Sequence, residues 1–145
     1  MPSTLENRHR IRKSFGSLTA PIKVPHLLKV QLDSFERFLQ RDVPPDQRED
    51  KGLEAVFRSV FPVSDFSGSS TLEYVHYRLG DPKYSVEECR VRGVTFACPI
   101  RAALRLIVWE KDAESDVKHI RDIKEQDIYL GELPLMTPTG SFIIN

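Results

Sequence analysis

The apolar residues of this 145-residue chain change their period once. Up to Phe61 they recur every three or four positions, and beyond Ser70 they recur mainly every second one. A helix places residues i, i+3, i+4 and i+7 on one face and a strand places alternate residues on one face, so no single kind of element satisfies both patterns. Helices first and strands afterwards is the order of an α+β domain, with N-terminal amphipathic helices followed by a mostly antiparallel sheet. It argues against alternating βαβ units and a parallel sheet.

Leu28, Leu32, Phe35 and Leu39, widened by Leu27 and Phe38, predict an amphipathic helix over residues 26–40, with Pro25 in the first turn, where a missing N–H costs nothing. Pro44 and Pro45 interrupt it, and the charged stretch from Asp46 to Lys51 reads as a surface loop. Leu53, Val56, Phe57, Val60 and Phe61 predict a second helix over residues 52–61, stopped by Pro62. Both stripes are read as core.

Residues 71–79 are rich in aromatic and β-branched side chains and predict a strand. Its apolar phase shifts between Tyr74 and Val75, so either both faces are covered or a bulge intervenes. Gly80, Asp81 and Pro82 predict a turn. Ser85 with Glu88 three residues on has the form of a capping box, opening a short helix that Gly93 closes, with Cys89 as a buried apolar side chain. Residues 101–109 predict a strand with Leu104, Leu106 and Val108 on the core face. A charged loop over 110–119 leads to a further strand over 123–130, broken by Gly131 and Pro134. The turn Pro138-Thr139-Gly140 predicts a terminal hairpin. The chain stops directly after that hairpin, and the expectation is a piece of something longer.

Composition supports one globular body: 40% of residues are hydrophobic and 29% charged. Lys plus Arg and Asp plus Glu number 21 each, so net charge proposes no partner. Charge is uneven along the chain, however. Residues 1–25 hold Arg8, Arg10, Arg12, Lys13 and Lys23 against Glu6, a net +4, and read as a basic arm ahead of a body over residues 26–145. Such an arm touches phosphate or is simply a solvated tail. Two cysteines, Cys89 and Cys98, have neither the number nor the spacing of a disulfide framework or zinc site, which with no signal-like leader points to a reduced, cytosolic protein. No apolar run approaches the roughly 20 residues of a bilayer-spanning helix.

Catalytic patterns are missing. The seven glycines are isolated, so no phosphate-cradling loop is written, and the four histidines stand far apart without metal-ligand spacing. His76 reads as an ordinary strand residue. No Asp-rich cluster rises from an apolar strand to hold Mg²⁺, and no nucleophile elbow is present. The residues alone describe a scaffold or interaction domain.

Five strings go further: RIRKSFG at 10–16, QLDSFERFLQ at 31–40, GLEAVFRSVFP at 52–62, YRLGDPKYSVEEC at 77–89 and RDIKEQDIYLGELPLMTPTGSFIIN at 121–145. In this order they resemble the amino-terminal part of the bacterial DNA-directed RNA polymerase beta subunit. The resemblance implies the first part of the protrusion domain, a non-catalytic wall of the DNA cleft in a nucleotidyltransferase that transcribes DNA into RNA from ribonucleoside triphosphates. It implies alpha, beta-prime, omega and sigma subunits and template DNA as partners, in the bacterial cytosol at the nucleoid. It places the catalytic Mg²⁺ in beta-prime, leaving no catalytic, cofactor-binding or metal residue in this chain. The family's Ile-Lys-Glu motif, which docks the transcription-repair coupling factor and CarD-type regulators, matches Ile123, Lys124 and Glu125. If their strand lies at a sheet edge, its unpaired backbone groups can accept a partner strand. DNA-contacting residues stay unassigned. Two alternatives remain open on the residues: a free-standing α+β interaction module, and an independent DNA-binding protein.

Overall fold

The computed structural model describes residues 13–16, 22–111 and 117–145. Arg8, Arg10 and Arg12 of the basic arm lie outside them; Lys13 and Lys23 are exposed.

Helix α1 spans Lys29–Leu39, beginning four residues after Pro25, so the proline stands before the helix and not in its first turn. Residues 27 and 28 form a turn instead, closed by the Lys29 N–H donating to the His26 carbonyl at 3.1 Å. The helix needs no side-chain cap at Leu28, and Lys29 and Asp33 pair across its first turn at 2.6 Å. Gln40 ends α1 in the left-handed region, at φ 44°, with its N–H on the Glu36 carbonyl. Its side-chain amide then reaches across the following loop. Oε1 accepts from the Glu49 N–H at 2.8 Å, and Nε2 donates to the carbonyls of Glu49 and Lys51 at 2.9 and 3.1 Å. The segment read as a plain surface loop is thus pinned to the helix end and includes a 3-10 turn at Pro45–Gln47.

Helix α2 spans Gly52–Val60. Only part of its expected stripe is covered. Leu53 is buried and Phe57 half-buried, whereas Val56 and Val60 are exposed, and the stripe's neighbour Glu54 is buried in their place. The helix wedges between α1 and the sheet, so the covered arc is the one carrying Leu53, Glu54, Phe57 and Phe61. The α1 stripe is likewise only half core: Leu39 is buried, but Leu27, Leu28 and Phe38 are exposed.

Four antiparallel strands follow in the order β1 (Val63–Ser64), β2 (Ser70–Leu79), β3 (Ala97–Lys111) and β4 (Lys118–Pro134). The phase shift in β2 is a bulge: Tyr74 pairs with Leu104 and His76 with Ala103, leaving Val75 extra. β3 and β4 are longer than their sequence signals because two further bulges, between Ile100 and Arg101 and between Val108 and Trp109, let the ladder continue through changes of apolar phase. Gly131, at φ 146°, sits within β4 opposite Ile100 and does not break it, since the strand runs to Pro134. Residues 110, 111, 118 and 119 of the expected loop belong to β3 and β4; residues 112–116 lie outside the described residues.

The core face of β3 also differs from expectation. Leu104 is buried, but Leu106 is 37% exposed while Ile107 is only 7% exposed. The helices cover the sheet over Tyr77, Cys98 and Ile100, short of Leu106. Ile107 faces the other way, between Thr71 and Ile123 in its row, where the Trp109 indole N–H donates to the Thr71 hydroxyl at 3.1 Å.

Tyr77 is the centre of the main core, with Leu39, Leu53, Cys98, Ile100 and Leu135. Phe57 stacks on both Tyr74 and Tyr77, with ring centroids 5.0 and 5.6 Å apart. Between β2 and β3, helix α3 spans Val86–Arg92 with the expected capping box. The Glu88 N–H donates to Ser85 Oγ at 3.2 Å, and the Ser85 N–H donates to Glu88 Oε2 at 3.0 Å. Gly93 closes it at φ 65°, and Cys89 is buried. The terminal turn bonds the Thr137 N–H to the Ser141 carbonyl at 2.7 Å, and a single bridge joins Met136 to Phe142.

Candidate functional site

β4 pairs with β3 along one side and with no described strand along the other, which makes it the sheet's outer edge. Such an edge presents a row of N–H and C=O groups to anything that approaches. Ile123, Lys124 and Glu125 lie in its middle, opposite Ile107, Leu106 and Arg105. Alternation divides them. Lys124 shares a face with Leu106 and Leu72, the face on which Tyr74 meets α2, while Ile123 and Glu125 share the opposite face with Ile107 and Arg105. Any body touching all three must therefore straddle the edge.

Each member of the triplet is accessible. Ile123 is 49% exposed, and its neighbours Ile120, Ile128, Tyr129 and Leu130 are exposed too. Lys124 Nζ lies 3.7 Å from the Asp122 carboxylate. Glu125 is the more constrained charge: Arg105 donates to its Oε2 from Nε at 3.2 Å and from Nη2 at 3.0 Å. Farther along the same face Arg78, on β2, reaches across β3 to Asp127 at 3.6 Å. Its Nε donates to His76 Nε2 at 3.0 Å.

A second polar feature escaped the sequence reading. Glu54 is 3% exposed, and its carboxylate takes a hydrogen bond from Arg58 Nε at 3.0 Å and one from the Tyr74 hydroxyl at 2.7 Å. Both oxygens are satisfied, which is what allows a carboxylate to stay under a helix. The only signal for it is the Glu54 to Arg58 spacing of four on α2. Burial, and then the Glu54 carboxylate, push the Tyr74 hydroxyl well above its ordinary 10.0. The fold thus prefers the neutral phenol. Its contribution is intact below pH 10, where unfolded tyrosine is also neutral, and is lost as pH rises above it. Urea midpoints of the chain between pH 8 and 11 are expected to fall on the alkaline side, and Tyr74→Phe is expected to flatten that fall. Tyr77, pushed up by burial as well, keeps part of it.

Among the described residues no three His, Cys, Asp or Glu side chains stand together as metal ligands, and no helix is long and apolar enough to cross a membrane. What the geometry offers is a long, accessible sheet edge with an apolar and charged middle.

Comparison with known proteins agrees with the string resemblance. The family described as RNA polymerase beta subunit matches residues 26–145. Over all 145 residues the chain is 51% identical to the DNA-directed RNA polymerase subunit beta of Anaeromyxobacter sp. (strain Fw109-5), 50% to that of Myxococcus xanthus and 52% to that of Geobacter sulfurreducens. It covers the whole of this chain but only 10%, 10% and 11% of those proteins, so it spans about a tenth of their length. A family match across all three α-helices and the entire sheet, joined to identity at about half of the residues, places this chain in the RNA polymerase beta subunit family.

Proposed function

We propose that the chain serves as a non-catalytic wall of DNA-directed RNA polymerase, the first part of the beta subunit's protrusion, and that its β4 edge docks transcription factors. In this reading the assembly transcribes DNA into RNA in the bacterial cytosol, at the nucleoid. The alpha, beta-prime, omega and sigma subunits are its partners, and the catalytic Mg²⁺ is held by beta-prime. The transcription-repair coupling factor or a CarD-type regulator adds a strand beside β4, engaging Ile123, Lys124 and Glu125.

The observation that carries the docking reading is the position of the triplet at the outer edge, with all three side chains accessible. Strand addition satisfies the backbone groups that β4 turns away from β3. Apolar contact at Ile123 adds affinity, and the two charges on opposite faces fix register.

The test is capture of the coupling factor's interaction domain by polymerase assembled with full-length beta subunit. Lys124→Ala and Glu125→Ala are each expected to weaken capture, and the double variant by about tenfold, while the enzyme stays folded. Undiminished capture by the folded double variant would remove the site.

A further inference from the structure

We propose that Arg105 is the positioning residue of this docking edge: it holds the Glu125 carboxylate so that its remaining oxygen meets a cationic side chain on an added strand. The inference rests on the docking reading above.

Glu73, Arg105 and Glu125 stand in one row across β2, β3 and β4, on the face away from the helices. Both Arg105 donors converge on Oε2 of Glu125, and Oε1 carries no hydrogen bond among the described residues. The side chains of Arg105 and Glu125 are 40% and 47% exposed, so a partner reaches them without displacing anything. The row holds two carboxylates and one guanidinium. It therefore has one negative charge to spare, and a new cation at Oε1 leaves Arg105 still flanked by Glu73, its direct cross-strand neighbour.

The adjacent rows do not share this property. Asp127 is already met by Arg78, and the row of Arg78 contains a second cation in Arg101. On the other side Thr71, Ile107 and Ile123 carry no charge. Within its row Glu125 is the carboxylate that stands on the edge strand, and its open oxygen specifies where a cation on the incoming strand must fall.

A free glutamate must give up rotamer freedom when a partner immobilises it, and a guanidinium that has already fixed it lowers that cost. Since an exposed ion pair contributes little to folding, loss of Arg105 is expected to leave the fold intact.

Binding of the coupling-factor interaction domain to polymerase assembled with full-length beta subunit gives the readout, alongside the urea midpoint of each variant subunit. Arg105→Gln is expected to raise Kd by about threefold to tenfold with an unchanged midpoint. Arg105→Lys is expected to recover only part, because one ammonium does not hold the carboxylate as a planar fork does. In a Glu125→Gln background Arg105→Gln is expected to add nothing. An unchanged Kd for Arg105→Gln, or a loss that adds in full to that of Glu125→Gln, overturns the positioning role while the docking edge stands. If the Lys124→Ala, Glu125→Ala double variant binds as the parent does, the docking edge falls, and the role of Arg105 with it.

Discussion

Tyr77→Ala is expected to lower the unfolding free energy by about 3–5 kcal/mol, a large share of the roughly 5–15 kcal/mol that holds an ordinary domain folded. The side chain is fully buried and acts in three ways at once. Its ring packs under Phe57 and among Leu39, Leu53 and Ile100. The Arg48 guanidinium lies 3.9 Å above the ring centroid and donates from Nη1 to the Tyr77 carbonyl at 2.7 Å. The hydroxyl donates to the Leu39 carbonyl, one of the last carbonyls of α1, which have no partner within the helix. Tyr77→Phe separates these roles. It keeps the ring and the cation above it and is expected to cost about 1–2 kcal/mol, for a hydrogen bond lost and a carbonyl left unpaired. Urea unfolding followed by far-ultraviolet dichroism measures both. Equal losses from the two variants would show that the hydroxyl, not the ring, dominates.

Gly52→Ala is the second large effect, and its cause is backbone and not packing area. Gly52 opens α2 at φ 58°, a conformation that costs an L-residue about 1–2 kcal/mol. A Cβ there would also stand 2.6 Å from the Phe38 carbonyl oxygen and 2.8 Å from the Phe38 Cα. Backbone cannot swing aside as a side-chain tip does, so α1 and α2 must separate, and overpacking of this kind adds about 1–3 kcal/mol. The same unfolding experiment is expected to show a combined loss of about 2–5 kcal/mol. Gly93→Ala serves as the control. It shares the positive φ of 65° but has open space around its Cβ, and is expected to lose only the conformational part.

Features set by near neighbours in sequence were legible. The α3 capping box followed from Ser85 and Glu88 and the stop of α2 from Pro62, while the phase change at Val75 gave the β2 bulge as one of two readings. Features set by where the layers end were not. Nothing local to Leu106 and Ile107 says that the helices stop short of one while the other lies between Thr71 and Ile123. Gly131 reads as a breaker until Ile100 is seen opposite it, and the two-residue β1 is too short for any periodic signal. The burial of Glu54 depends on Tyr74, twenty positions away on another element. At the candidate site the triplet was recognised from its strings, but its division between two faces needed the register, and Arg105 stands in a strand with no sequence mark of its own.

The long pairing of β3 with β4 has a mechanical side. A strand bonded alongside β4 and tugged parallel to it loads the ladder in shear, so its hydrogen bonds resist together. Tugged sideways, the same bonds open one after another like a zipper. The attachment proposed at Ile123 to Glu125 would therefore be directional: strong against traction along the strand, and easily peeled off by a partner that turns away from it.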